Sequence, residues 1–249
     1  PPLAPSITQR TSDGARELSE DDIQRILSSF SLATQRAVDA GFDYVELHGA
    51  HGYLVSQFLS PNSNRRTDQW GGPIANRMRF AVECYRRCAA VADGRALVGM
   101  RVGLGDGRSG GITSDDGLAL TRELVALGCP LIHVSHGGGV PKEVVPAGSP
   151  HSAFMHLAAI VKEAVPVSVI GVGGIFAPDQ AEEVLRKGMA DLVAVGRGTL
   201  ADPAWTRKVL EGRIDSIERC VDCRPRCLHF RAEDAHKCPA RLRAAARAK

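Results

Sequence analysis

Two histidines and a tyrosine lie close together in the segment HGAHGY, at His48, His51 and Tyr53. Two imidazole rings can donate hydrogen bonds to one carbonyl oxygen and stabilise the negative charge that develops there. A tyrosine hydroxyl beside them can deliver a proton to the adjacent carbon. A structural histidine pair and a metal site are the alternative interpretations, although a third metal ligand is not obvious. The spacing of the residues does not decide among the three.

Glycine-rich motifs follow two later predicted strands, at Gly171–Gly174 and at Gly196–Arg197. Glycines let the backbone approach a ligand closely, so that its N–H groups can bind a phosphate. Arg197 can add a charged, bidentate contact. Tight turns between strand and helix are the alternative explanation for either motif alone. Two adjacent motifs favour a site for a phosphorylated ligand or cofactor.

Seven cysteines are distributed unevenly, and four of them lie in one C-terminal segment. These four follow the spacing C-x2-C-x3-C-x10-C, at Cys220, Cys223, Cys227 and Cys238. The odd total and the tight clustering argue against a disulfide framework and favour a metal or cluster site in a reducing compartment. Four thiolates in such an arrangement suit either a tetrahedral zinc ion or a four-iron cluster.

The composition is that of an ordinary globular protein, with 249 residues, 44% hydrophobic and 24% charged. The formal charge of +3 is small, and no basic stripe with interleaved aromatics supports nucleic-acid binding. No apolar run approaches the length of a membrane span, and the N-terminus, PPLAPSITQR, lacks the regions of a secretory signal. We therefore expect a cytoplasmic protein.

Helices and short apolar strands alternate along the chain. Ser19 is predicted to cap the first helix with Asp22 in the capping-box position, and Gly41 is predicted to end it. Four further helices are predicted at Ile74–Val91, Ser114–Leu127, Ser152–Ala164 and Pro178–Arg186. Five strands are predicted at Asp43–Leu47, Ala96–Val102, Leu131–Ser135, Val167–Ile170 and Leu192–Val195.

This alternation of nearly continuous apolar strands with helices is typical of an α/β fold with a parallel sheet. A doubly wound open sheet and a (β/α)8 TIM barrel both fit, and the barrel is favoured because polar or glycine-rich motifs follow every strand. A complete barrel needs eight strands. The sequence therefore predicts the last five units of an incomplete barrel over residues 1–215, followed by a Cys-rich segment over residues 216–249.

The run HGAHGYLVSQFLSPNSNRRTDQWGG, followed by NRMRF, closely resembles the signature of the old yellow enzyme family of flavin oxidoreductases. The similarity continues through RVG, IHVSHGG, VIGVGGI and AVGRGTLADP, and thus covers nearly the whole chain. The C-terminal cysteines resemble specifically those of the branch containing 2,4-dienoyl-CoA reductase and trimethylamine dehydrogenase. That branch carries a [4Fe–4S] cluster on a similar spacing, which favours the cluster over zinc.

The resemblance implies an FMN at the mouth of the barrel and a role for each matching residue. His48 and His51 would bind the substrate carbonyl, and Tyr53 would be the proton donor. Arg101 would place its positive charge beside the flavin pyrimidine edge. The FMN phosphate would be held by Gly173, Gly174, Gly196 and Arg197.

The function implied is that of an FMN- and iron–sulfur-dependent ene-reductase. Its substrate would be an α,β-unsaturated carbonyl compound or a 2,4-dienoyl thioester, and NAD(P)H would supply the electrons. A missing N-terminal barrel segment and a separate FAD/NAD(P)H reductase module are the expected partners. A truncated, non-catalytic remnant or subunit with a structural metal site is the main alternative, and a zinc-bearing (β/α) phosphate-ester enzyme is a third.

Overall fold

A five-stranded parallel sheet forms the centre of the computed structural model, which describes residues 1–9, 11–140, 142–223, 227 and 238–247. Two short strands come first in the chain, β1 at Leu3–Ala4 and β2 at Arg16–Glu17, and they pair with each other. The sheet itself contains β3 at Tyr44–Gly49, β4 at Leu97–Gly103, β5 at Leu131–Ser135, β6 at Ser168–Val172 and β7 at Leu192–Ala194. Its strand order is the chain order. The prediction of five strands in an α/β fold is confirmed.

The α-helices before β6 are α1 at Glu20–Asp39, α2 at Leu54–Leu59, α3 at Ile74–Arg77, α4 at Arg79–Ala92, α5 at Ser114–Ala126 and α6 at Ala153–Ala164. The later ones are α7 at Pro178–Arg186, α8 at Arg197–Ala201, α9 at Trp205–Leu210 and α10 at Pro239–Arg247. Short 3₁₀ turns lie at Lys142–Val144 and Ile214–Ser216.

Helix α1 begins and ends as the sequence predicts. The Ser19 hydroxyl accepts from the Asp22 N–H at 3.2 Å, and the Asp22 carboxylate accepts from the Ser19 N–H at 3.0 Å. This reciprocal pair satisfies two N–H groups that the first turn leaves without helical partners. At the other end, Gly41 adopts φ +84°, a conformation that glycine reaches without steric cost.

One face of the sheet carries the hydrophobic core. The row of residues in register across β3, β4, β5 and β6 is at most 4% exposed and consists of Leu47, Met100, Ile132 and Val169. Helices α4 and α6 pack against this face. Because successive side chains of a strand alternate between faces, the residues next to these in sequence point to the opposite side. That side holds the candidate site.

The opposite face is more open. Leu97 and Leu192 on it are 55% and 46% exposed. In the described part of the chain the sheet does not close on itself, and β3 and β7 are its two edges. The structure therefore confirms the parallel α/β sheet, and the incomplete barrel stays a prediction.

Some elements differ from the sequence expectation. The predicted helix Ile74–Val91 is divided into α3 and α4 at Met78, although the dihedral angles of Met78 remain helical. The buried Arg77 guanidinium bonds to the carbonyl oxygens of Leu59 and Gly72 and to Asp116, which ties this turn to the neighbouring loops. The short helix α2 and the helices after β7 were not predicted. Among the described residues, no helix combines the length and apolarity needed to cross a membrane.

Candidate active site

The HGAHGY segment forms a tight turn at the carboxyl end of β3. His51 and Gly52 both adopt positive φ, +61° and +76°, and the Tyr53 N–H bonds to the Ala50 carbonyl at 3.3 Å. Positive φ at both central residues is typical of a type I′ turn. It is an uncommon conformation for a histidine and costs free energy. The turn brings the ring of His48 to 5.0 Å from that of His51 and 5.3 Å from that of Tyr53, measured between centroids.

The ring of His51 is held by Ser135, the last residue of β5. Its Nε2 lies 2.7 Å from the Ser135 hydroxyl, which is 1% exposed. The Arg101 Nη2 donates to the same hydroxyl at 3.3 Å. Three strand ends, those of β3, β4 and β5, thus contribute one connected group of side chains. Of the predicted site residues, the structure brings together His48, His51, Tyr53 and Arg101.

Both histidines are held in the neutral form at ordinary pH. Burial, followed by the positive charge of Arg101, lowers the pKa of His48, and the same causes lower the pKa of His51 to about 4. A neutral imidazole offers one N–H donor and one acceptor. In contrast, Tyr53 is 63% exposed and accessible to a ligand above the turn.

Arg101 lies beside His48 and close to the pair formed by Glu46 and His133. It is opposite His48 on one side and His133 on the other in the strand register. Its Nε is buried and has no hydrogen-bond partner among the described residues. Burial lowers the pKa of Arg101, and Glu46 partly offsets this. A buried, unsatisfied donor is costly in a protein interior, which makes Arg101 suited to an electron-rich ligand.

Glu46 and His133 form an interaction that the sequence did not reveal. The Glu46 Oε2 lies 2.9 Å from His133 Nδ1 and accepts from the Tyr44 hydroxyl at 3.2 Å. Burial favours the neutral acid, but the hydrogen bond and charge of His133 together hold the pKa of Glu46 below its usual value. Gly99 lies between them on β4, where a Cβ would be 2.6 Å from the Tyr44 hydroxyl oxygen. The missing side chain lets Glu46 reach past β4 to β5.

The second predicted group lies at the ends of β6 and β7. Gly173 and Gly174 adopt φ +106° and +76°, and the Ser152 hydroxyl donates to the Gly173 carbonyl at 2.8 Å. A Cβ on either glycine would lie 3.1 Å from a Ser152 side-chain atom, so both positions favour glycine. Backbone N–H groups in such a segment can donate hydrogen bonds to a phosphate, so these glycines are compatible with the predicted use.

Arg197 has other partners in this structure. Its guanidinium carbon lies 4.6 Å from the centre of the Phe176 ring, and its Nη1 forms an ion pair with Asp222. Gly196 directly precedes α8 with φ −88°, in open space where a Cβ would meet nothing within 4 Å. The prediction that Gly196 and Arg197 bind phosphate therefore remains untested, and any phosphate here must compete with the Asp222 carboxylate.

The four C-terminal cysteines are partly exposed free thiols, and much of the segment between Cys223 and Cys238 lies outside the described residues. Burial, followed by the charges of the other three cysteines, raises the pKa of Cys227. However, within the described residues no three side chains of histidine, cysteine, aspartate or glutamate converge on a metal-sized site. The predicted cluster is therefore not shown, and we derive no chemistry from it.

A cavity of about 480 Å³ opens beside His51. Residues 2–15 form one wall, and the loop between β4 and α5 forms another. The volume lies within the range of about 300–1,000 Å³ that is usual for small-molecule sites. This cavity could not be predicted from the sequence, because its walls come largely from loops with no regular pattern. Ser135, in contrast, lies in the segment IHVSHGG, where a polar residue ending an apolar strand was a usable signal.

Comparisons with known proteins agree with this geometry. The sequence matches the NADH:flavin oxidoreductase / NADH oxidase family over residues 3–216. It is 38% identical over 231 residues to the NADH oxidase of Thermoanaerobacter brockii, which covers 91% of this chain and 36% of that protein.

Two solved structures superpose well. A 2-naphthoyl-CoA reductase complexed with 2-naphthoyl-CoA gives a TM-score of 0.77 at 26% identity, covering 88% of this chain and 34% of the other. An old yellow enzyme homologue from Zymomonas mobilis gives a TM-score of 0.67 at 25% identity, covering 88% and 63%.

The chain thus spans between about a third and two thirds of the length of these relatives. The comparisons confirm the expected flavin oxidoreductase family, but they do not distinguish the dienoyl-CoA reductase branch. Since the match covers most of the sequence, the protein belongs to the NADH:flavin oxidoreductase / NADH oxidase family.

Proposed function

We propose that this protein is an FMN-dependent ene-reductase that reduces the C=C bond of an α,β-unsaturated carbonyl compound or an enoyl thioester. The observation that carries the proposal is the juxtaposition of His48, His51 and Tyr53 at the end of β3. Between centroids, the ring of His48 lies 5.0 Å from that of His51 and 5.3 Å from that of Tyr53. Family membership supports FMN and NAD(P)H as cofactors. The name of the 2-naphthoyl-CoA reductase supports a thioester as one substrate class.

His48 and His51 are assigned to the carbonyl oxygen of the substrate. Because both are neutral, each can offer a single N–H without placing a permanent charge in the site. Two such donors become more effective as negative charge grows on the oxygen, which lowers the barrier. The positive φ of His51 fixes the direction from which its ring approaches.

Tyr53 is assigned as the proton donor to the α-carbon. Its ring packs against His48 and is 63% exposed, so its hydroxyl is accessible to a bound alkene. FMN, when bound, supplies the hydride that reduces the β-carbon. Arg101 would place its charge at the flavin pyrimidine edge, and Gly173, Gly174, Gly196 and Arg197 would hold the phosphate. The unsatisfied Arg101 Nε and the positive φ values of both Gly173 and Gly174 support these assignments.

The decisive experiment separates the two half-reactions. In Tyr53→Phe, reoxidation of the reduced flavin by 2-cyclohexenone should slow by about 10²–10⁴-fold, the usual contribution of a positioned acid. Reduction by NAD(P)H should change by less than about twofold, because Tyr53 acts only on the alkene. Stopped-flow absorbance measures both rates. Equal loss of both, or a protein that cannot be loaded with FMN, would overturn the proposal.

We retain the [4Fe–4S] cluster at Cys220, Cys223, Cys227 and Cys238 as a second part of the proposal, with zinc as the alternative. Its support is the cysteine spacing, together with the effect of the other three cysteines on the pKa of Cys227. Iron, zinc and sulfide analysis of anaerobically purified protein decides between them. Absence of all three would refute a metal site here.

We also propose that further β/α units, and a reductase module that delivers electrons, are partners of this chain. Leu97 and Leu192 on the open face support the first, since exposed apolar side chains on a parallel sheet favour a cover. A monomeric, FMN-loaded protein in size-exclusion chromatography would contradict the need for such a partner. Obligate association without flavin would favour the alternative of a non-catalytic subunit.

A further inference from the structure

An arginine without a partner lies on the rim of the cavity beside His51. The guanidinium of Arg108 is exposed and has no hydrogen-bond or ion-pair partner in the part of the chain that the structure describes. Nearby arginines differ: Arg66 pairs with Asp68 and Glu17, and Arg77 pairs with Asp116. Arg108 is therefore a charge that the fold places at the cavity and does not use.

The backbone around Arg108 is held by several contacts. Its N–H donates to the Asp106 carboxylate at 3.1 Å, and its carbonyl accepts from the Gly111 N–H at 3.0 Å. The next residue, Ser109, accepts from the Asn62 amide at 3.0 Å. A guanidinium on a fixed loop loses less conformational freedom when it binds a ligand than one on a mobile loop.

The acidic residue near Arg108, Asp106, already accepts hydrogen bonds from within the protein. Asp106 is 9% exposed, and besides the Arg108 N–H it accepts from the Ser60 hydroxyl at 3.0 Å. A single guanidinium in a cavity that this carboxylate also lines suits a monoanion better than a doubly charged phosphate. A planar carboxylate also matches the fork of one guanidinium.

We propose that the cavity binds a carboxylate carried by the alkene substrate, with Arg108 as the residue that recognises it. The carbonyl oxygen binds at His51, which lines the cavity together with Arg108, and at His48, whose ring lies 5.0 Å from that of His51 between centroids. The carboxylate binds at Arg108. The substrates selected are unsaturated dicarboxylates and unsaturated keto acids, in preference to neutral enones. This inference rests on the proposed function, because it uses the same histidine pair for the carbonyl.

Two phenols test the proposal directly. A phenol oxygen imitates the substrate oxygen at the histidines, and 4-hydroxyphenylacetate differs from 4-hydroxyphenylacetamide only in the charge at its other end. Their affinities are measured by isothermal titration calorimetry on the FMN-loaded protein and on Arg108→Gln. The control variant is Arg36→Gln, which removes an exposed arginine of α1 outside the cavity lining.

The expected result is that Arg108→Gln lowers the affinity for 4-hydroxyphenylacetate by about tenfold and the affinity for the amide by less than about twofold. The difference corresponds to the loss of one charge-assisted contact. Arg36→Gln should leave both affinities unchanged. The affinity for NADH, measured by anaerobic titration, should not change in Arg108→Gln. A loss confined to NADH would assign Arg108 to the nucleotide and overturn the carboxylate site.

The remaining outcomes are also decisive. If both phenols bind and Arg108→Gln affects them equally or not at all, the carboxylate site is refuted and the histidine clamp stands. If neither phenol binds the original protein, the clamp itself is refuted, and the carboxylate proposal falls with it.

Discussion

The two faces of the sheet are built from alternate residues of the same strands, yet they have different roles. The face under α4 and α6 is apolar and almost fully buried, as at Met100, which is 0% exposed. The other face mixes exposed leucines with Glu46, Arg101 and His133. Burying apolar area stabilises the fold, whereas placing ionisable groups in a half-buried surface costs free energy. The comparison teaches that one face maintains the structure and the other carries the polar groups of the candidate site.

The largest effect is expected on the covered face. Met100→Ala should lower the free energy of unfolding by about 2–5 kcal/mol, because it leaves a cavity that the helices cannot fill. Leu97→Ala, on the same strand but 55% exposed, should cost less than about 0.5 kcal/mol. Urea denaturation measures both. A large loss in Leu97→Ala would show that the open face is also covered in solution.

An intermediate effect is expected at Gly99, where the open face leaves no room for a side chain. Gly99→Ala should cost about 1–3 kcal/mol, because its Cβ would lie 2.6 Å from the Tyr44 hydroxyl oxygen and 2.7 Å from the Leu131 carbonyl oxygen. Gly103→Ala is the matched control, since its Cβ would lie 3.4 Å from that of Ala50. Thermal unfolding of the two variants compares them. Equal melting temperatures would mean that Tyr44 and Glu46 can move aside.

A smaller effect is expected from Ser135→Ala, at about 1 kcal/mol, since it removes a hydrogen-bond partner from both His51 and Arg101. The substitution should also change which ring nitrogen of His51 carries the proton. With Arg101 donating to Ser135, the serine can give its own proton to His51 Nε2, which leaves Nδ1 as the donor towards a ligand. Nitrogen-15 NMR of the imidazole distinguishes the two tautomers. An Nε2-protonated ring in the original protein would contradict this assignment.

The effect that is smallest near neutral pH is a pH dependence. The folded pKa of His51, about 4, is lower than the usual histidine value of 6.5, so the unfolded chain takes up a proton first as the pH falls. Stability should therefore decrease from pH 6.5 towards pH 4 and be unaffected by this group above that window. His51→Asn, which tolerates positive φ, should reduce the slope. An unchanged slope would assign the effect to other histidines, such as His48.

The sequence predicted the strands and the turn more completely than it predicted the contacts between them. Apolar runs and glycine positions depend on local backbone physics, and so the five strands and the cap at Ser19 could be read directly. The role of Ser135 and the pair between Glu46 and His133 depend on register, which places residues 84 and 87 positions apart side by side. The ion pair of Arg197 with Asp222 could not be foreseen either, because it joins the first residue of α8 to a segment without a periodic pattern.

The order of the strands in the sheet has a consequence for synthesis. Because strand order follows chain order, each new strand adds to an edge that is already formed, and no strand must be inserted between two others. His48, Arg101 and Ser135 belong to the first three strands of the sheet, and His51 belongs to the turn that follows β3. The residues of the proposed carbonyl site can therefore come together before β6 and β7 leave the ribosome, and the proposed ligand contacts then form in two successive stages.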